Sequence, residues 1–197
     1  MNAGSSTGNR YHRLTIGVHW LTLMLLVAVY ALIELREIYP KGSDPRETMK
    51  LWHNMLGLTV FGLVFARLVL RRMFRTPPIT PEPSRWQGML AAAMHVALYV
   101  FLVVMPLLGW LVLSAKGKPI PFFGLHLPAL IGPNEARAES LEELHEFIGT
   151  LGYYLIGLHA AAALYHHYVA HDDTLLRMLP RRDGAGRNAD RLPRETA

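Results

Sequence analysis

The chain has no cysteine among its 197 residues. That excludes disulfide bridges, thiolate metal sites, iron–sulfur clusters and haem attached covalently through a C-x-x-C-H motif. Any haem bound here is of the b type, held by axial ligands alone. A phosphate-binding loop, a dinucleotide fingerprint and a Ser-His-Asp arrangement are also missing, so the common soluble chemistries lack their residues. The run Glu142-Glu143-Leu144-His145 contains one Glu-x-x-His, the di-iron pattern of four-helix bundles. The second copy and the two further buried glutamates of such a site are absent, and these carboxylates instead suit a helix N-terminus. No internal repeat is visible, nor any low-complexity segment beyond the chain ends.

What the chain has in quantity is apolar residues, at 51%. They gather into four runs that approach the roughly 20 residues needed to cross a bilayer. The spans are expected at about residues 14–35, 49–70, 88–113 and 141–169, giving an all-α, integral membrane four-helix bundle. The first run is longer than a secretory signal core and ends in Glu34-Leu35-Arg36-Glu37, so it reads as an uncleaved span. A polar link with Pro40, Gly42 and Pro45 precedes the second span, and the proline-rich connector from Thr76 to Pro83 precedes the third. Pro106 predicts a kink near the end of the third span. A long loop from Ser114 to Ser140 leads to the fourth span. Residues 1–182 are thus read as one transmembrane domain with a disordered start over Met1 to Asn9, and residues 183–197 as a flexible basic tail.

The net charge of +5 does not point to nucleic acid, because the basic residues flank apolar runs and form no aromatic-interleaved patch. Their distribution instead gives an orientation. The N-terminal tail, the second connector with its flanks and the C-terminal tail hold thirteen of the twenty Lys and Arg residues. Those segments are therefore cytoplasmic, and so are both termini.

Histidines occur at matched depths in this frame. His145 and His159 stand fourteen residues apart in the fourth span. At 3.6 residues per turn they share one face, about 21 Å apart along the axis. Gly149 and Gly152 lie between them on that face and are expected to leave flat, open space for planar cofactors. His53 belongs to the outer side with His145. His19 and His95 belong to the inner side with His159, and His19 can meet either His159 or His95. An imidazole on each side of the ring is what a six-coordinate b haem requires. Arg67, fourteen residues after His53, either pairs with a haem propionate or reaches the cytoplasmic headgroups. His166, seven residues beyond His159, either sits beside a quinone headgroup or is simply interfacial. His12, His126, His167 and His171 are read as solvated surface.

Three segments carry a resemblance: Arg13-Leu14-Thr15-Ile16-Gly17-Val18-His19-Trp20, Trp52-His53-Asn54-Met55-Leu56-Gly57, and His145 through Leu158-His159-Ala160 to His166-His167-Tyr168. Together they resemble the bacterial four-helix cytochrome b-561 family over roughly residues 10–182. The paired histidines of the last helix are shared with the dihaem b subunits of formate dehydrogenases and hydrogenases. The resemblance implies two b haems, held by His53 with His145 and by His19 with His159. His95 is then left to pack behind these ligands or beside a quinone. It further implies a protein of the bacterial inner membrane that oxidises superoxide at the outer face and reduces ubiquinone.

Physical support for a small anionic donor comes from Arg36, Lys116 and Lys118, which can form a positive outer funnel together with Lys41, Arg46 and Lys50, partly cancelled by Glu34, Glu37, Asp44 and Glu47. Another outer-face donor fits the same frame. Two rival functions are an electron-transfer anchor subunit of a dehydrogenase or hydrogenase and a non-redox metal-ion transporter. The transporter calls for polar or acidic residues near mid-membrane, where this sequence has almost none.

Overall fold

The computed structural model describes residues 10–180; the N-terminal tail, the expected domain end at 182 and the basic tail 183–197 lie outside the described residues. Four helices dominate it: α1 (Arg13–Leu35), α2 (Asp44–Met73), α3 (Arg85–Ala115) and α4 (Glu135–Tyr168). Each is long and apolar enough to cross a membrane. Their lipid-facing sides carry exposed residues such as Val27, Phe65, Val96 and Leu158, as a bilayer solvent permits.

All four helices outrun the apolar runs that announced them. Helix α2 begins at Asp44, five residues before the expected start, because Pro45 suits a first turn and Asp44 and Glu47 complement the dipole there. Helix α4 begins at Glu135, where the Asn134 side chain accepts the Arg137 N–H. Ser84 and Gln87 form a capping box at the start of α3. The apolar pattern measures the membrane span, whereas caps measure the helix. Helix α3 continues through Pro106 without a break.

The long third connector, expected as a loop, contains regular structure. It carries a two-stranded antiparallel hairpin, β1 (Ile120–Phe122) and β2 (Leu125–Leu127), turned at Phe123 and Gly124, whose φ values are +46° and +86°. Two consecutive positive φ values define the tight turn that matches strand twist, and Gly124 adopts its value without steric cost. Ile120 is 2% exposed and plugs the hairpin against α2 and α3. In the first connector, the Arg46 guanidinium donates to the carbonyls of Arg36 and Tyr39 and pairs with Glu37 at 2.7 Å, tying α1 to α2.

Close helix packing runs α1 on α2, α2 on α3 and α3 on α4. Val60, Val64, Phe101 and Leu102 form the buried centre, with Leu26, Tyr30 and Ile148 against it. Helix α4 meets α1 through long side chains: Tyr30 Oη donates to the Gly149 carbonyl at 2.8 Å and Tyr153 Oη to Glu34 at 2.7 Å. At the opposite end, residues 171–180 fold back as a strap. Trp20 Nε1 donates to the Met178 carbonyl, the Thr80 N–H to Asp173, and Arg177 to the Pro77 carbonyl.

Candidate cofactor sites along the fourth helix

Two histidine sites lie on α4, one on each side of the Tyr30 and Phe101 packing. At the first, the His53 and His145 rings stand 6.2 Å apart between centroids. They face a cavity of about 350 Å³ between the helices, walled also by Gly57, Gly109, Gly149 and Tyr153. At the second, the His159 ring lies 6.5 Å from His19 and 5.7 Å from His95.

These separations can be set against haem ligation. Two imidazoles sharing one iron, each about 2 Å from it by a nitrogen, put their ring centroids about 6 Å apart. His53 with His145 fits that requirement, and at His159 both His19, at 6.5 Å, and His95, at 5.7 Å, fit it. The tautomers add a second criterion, since an imidazole that gives Nε2 to a metal keeps its proton on Nδ1 and needs an acceptor there. The His53 Nδ1–H donates to the Val29 carbonyl at 2.9 Å, which leaves Nε2 free. His95 donates likewise to the Ala91 carbonyl at 2.6 Å. The His145 ring is buried on the cavity wall, with the Met105 backbone beside it and no close hydrogen bond at Nδ1. Among the described residues, no group of three or more His, Asp or Glu side chains is arranged to hold a bare metal ion.

At the second site Arg67 is close: its Nη2 donates to His19 Nδ1 at 3.3 Å and its guanidinium lies over the Tyr99 ring. His95, left by sequence behind the ligands or beside a quinone, stands directly against His159, so geometry brings three imidazoles together here.

The glycines require one correction. Gly152 does not leave open space. A Cβ placed on it would meet Phe101 Cε2 at 2.7 Å and Tyr30 Oη more closely still, because those two side chains already fill the slot. Gly149 keeps more room, the same construction meeting only Met105 Cε at 3.4 Å. The sequence reading missed Gly109, on whose bare backbone the His145 ring rests, with Cε1 3.4 Å from a Cβ built there. Its position in α3, three residues after Pro106, was the available signal.

The remaining candidates fall at the two ends. Of the residues expected to form a basic funnel, Arg36 pairs with Glu37 at 3.0 Å and Lys116 with Glu142 at 2.6 Å, while Lys118 is exposed and makes no ion pair among the described residues. His166 lies at the strap end and contacts Asp172, which the sequence reading did not single out.

The family model for prokaryotic cytochrome b561 matches residues 10–181. Cytochrome b561 homolog 1 of Escherichia coli (strain K12) is 39% identical over 174 residues, covering 88% of this chain and 99% of that protein. A protein of Yersinia pestis named "Probable superoxide oxidase CybB" is 37% identical over 175 residues, covering 89% and 98%. Cytochrome b561 homolog 2 of the same E. coli strain is 31% identical over 180 residues, covering 89% and 94%.

Proposed function

Since the chain belongs to the prokaryotic cytochrome b561 family of membrane haem electron-transfer proteins, we propose that it carries single electrons from superoxide at the outer face of the bacterial inner membrane to ubiquinone in the bilayer. One observation carries this reading: His145 and His159, fourteen residues apart on α4, each face an imidazole of another helix at about the separation an iron between them requires. In it, His53 and His145 hold an outer b haem and His19 and His159 an inner one, in one domain with both ends in the cytoplasm. The haems supply one-electron redox chemistry, and bis-imidazole ligation leaves no open position for dioxygen. The choice of superoxide takes its support from the relative named a probable superoxide oxidase.

The chain's own residues do the rest. The Val29 carbonyl fixes the ligating tautomer of His53. A neutral His19 that accepts from Arg67 at Nδ1 carries its proton on Nε2 and has no lone pair to give there. Were His19 to give Nε2 to a haem iron, its proton would sit on Nδ1 and Arg67 would be released to pair with an anionic group of the haem. His95 stands beside His159 with its own Nδ1 tied to Ala91. Arg36, Lys116 and Lys118 draw the anionic donor to the outer face, and Lys118 makes no ion pair there although its charge reaches Glu47. His166, at the cytoplasmic end of α4, meets the quinone headgroup.

The visible spectrum of the detergent-purified protein, with haem counted per chain, tests the scheme. Two low-spin b haems are expected; His53→Ala, His145→Ala or His19→Ala leaves one, and His95→Ala leaves both. A colourless protein, or loss of a haem in His95→Ala with both retained in His19→Ala, overturns the assignment.

A further inference from the structure

The end of α4 carries an imidazole–carboxylate pair that electron transfer between the histidine sites does not use. His166 Nδ1 lies 2.5 Å from Asp172 Oδ2. Asp172 is 7% exposed although it follows the helix by only four residues. Its other oxygen accepts the Thr174 N–H at 2.9 Å, and its own N–H donates to the His166 carbonyl at 3.1 Å. The carboxylate is therefore fixed from two sides and cannot swing away from the ring. Burial would push the Asp172 carboxyl up, but hydrogen bonds from His166 and Thr174 outweigh it and hold the carboxyl below the usual carboxylate range. An ionised carboxylate only accepts, so His166 Nδ1 donates, and Nε2 becomes the nitrogen offered to a ligand.

The neighbouring charges are committed elsewhere. Asp173 accepts the Thr80 N–H and pairs with Arg177, and Arg177 donates to the Pro77 carbonyl. The Tyr165 ring stands edge-on to His166 at 6.0 Å. The His166 side chain is 21% exposed against 5% for that of Asp172, so the imidazole can be reached while the carboxylate is shielded.

We propose that Asp172 is a positioning residue for quinone reduction, holding His166 in the orientation and tautomer in which Nε2 exchanges a proton with the reduced headgroup. This rests on the reading of His166 as the quinone-facing residue. Ubiquinone takes two electrons and two protons to become ubiquinol. The electrons come from two superoxide ions, each leaving as dioxygen. His166, with its resting proton on Nδ1, takes a second proton at Nε2 from cytoplasmic water, gives it from Nε2 to a quinone oxygen and keeps the Nδ1–H on Asp172, once for each proton. Asp172 stays a carboxylate throughout.

The test uses the haem-loaded full chain, a short-chain ubiquinone and superoxide, with Asp172→Asn, Asp172→Glu, His166→Gln and the double variant His166→Gln/Asp172→Asn. Asp172→Asn is expected to lower turnover about tenfold, the usual scale for removing the group that orients a working imidazole, with haem content and spectrum intact. Asp172→Glu restores part of the rate, and Asp172→Asn adds little once His166 is Gln. NMR of the imidazole nitrogens supplies a readout independent of turnover: the His166 signal, assigned by its loss in His166→Gln, shows a single Nδ1–H tautomer that becomes mixed in Asp172→Asn. An equal slowing by Asp172→Asn in both backgrounds overturns the proposal and makes Asp172 merely structural. Slowing by His166→Gln without slowing by Asp172→Asn overturns it and leaves the quinone reading standing. An unchanged rate in His166→Gln with an intact spectrum overturns both. Should Asp172→Asn fail to fold, Asp172→Glu with an intact spectrum but neither the Nδ1–H tautomer nor any turnover overturns it as well.

Discussion

Glycines on α4 and α3 do three different jobs that a sequence pattern reads as one. Gly152 faces Tyr30 and Phe101, Gly149 faces the flexible end of Met105, and Gly109 receives the His145 ring. A methyl added at Gly152 falls 2.7 Å from Phe101 Cε2, and Phe101 belongs to the buried centre with Val60, Val64 and Leu102. Close-packed neighbours yield little, so Gly152→Ala is expected to destabilise the protein by about 1–3 kcal/mol. At Gly149 the contact is 3.4 Å to a thioether methyl that can rotate, and alanine also favours the helix by up to about 1 kcal/mol. Thermal unfolding of the two variants in detergent, followed by circular dichroism, is expected to show a lowered Tm for Gly152→Ala alone. Equal Tm values would mean that Tyr30 and Phe101 do not hold this slot.

Among the elements, the strap over residues 171–180 is tied by polar contacts and not by an apolar core. Its anchors are the Asp172 contacts, the Asp173 and Arg177 pair and the Trp20 bond to Met178. Asp172 gives it a pH dependence whose sign follows from linkage. The folded carboxyl is held below its ordinary value, so the folded strap binds this proton less tightly than the open one. The stabilisation is then complete above the ordinary carboxylate value of about 4 and is lost as pH falls through the lower folded value. Amide exchange over residues 172–178, corrected for intrinsic rates, is expected to show loss of protection in that acid window. Asp172→Asn is expected to remove the dependence, and a wild-type profile that stays flat would deny Asp172 this role.

For the molecule as a whole, charge decides how a small anion approaches. Glu142 pairs with Lys116, and Glu37 is shared by Arg36 and Arg46, whereas Lys118 is exposed and makes no ion pair among the described residues. Charge reversal at Lys118 is expected to slow the proposed reaction with superoxide several-fold at low salt and much less at 0.15 M or above, where the screening length shrinks to about 8 Å. Reversal at Lys116 is a less clean probe, because it also sets two carboxylates against each other at Glu142. Stopped-flow rates across ionic strength would decide, and equal slowing at all salt concentrations would rule out steering by Lys118.

Depth and face along a helix are local properties, fixed by 1.5 Å and 100° per residue. The sequence by itself therefore determined the four spans, the fourteen-residue spacing of His145 and His159, and the separation of His53 from His19 and His95 into two levels. Which side chain fills the space opposite a given face depends on helices brought together from distant parts of the chain. Only the tertiary structure decided that Tyr30 and Phe101 occupy the slot at Gly152, that His95 joins His19 against His159, and that Gly109 seats His145. The hairpin at Phe123 and Gly124 stayed hidden because strands of three residues leave no periodicity to read. Asp172 escaped notice for a related reason: beyond the helix end no period predicts where a turn returns a carboxylate, and a contact with His166 sets its role.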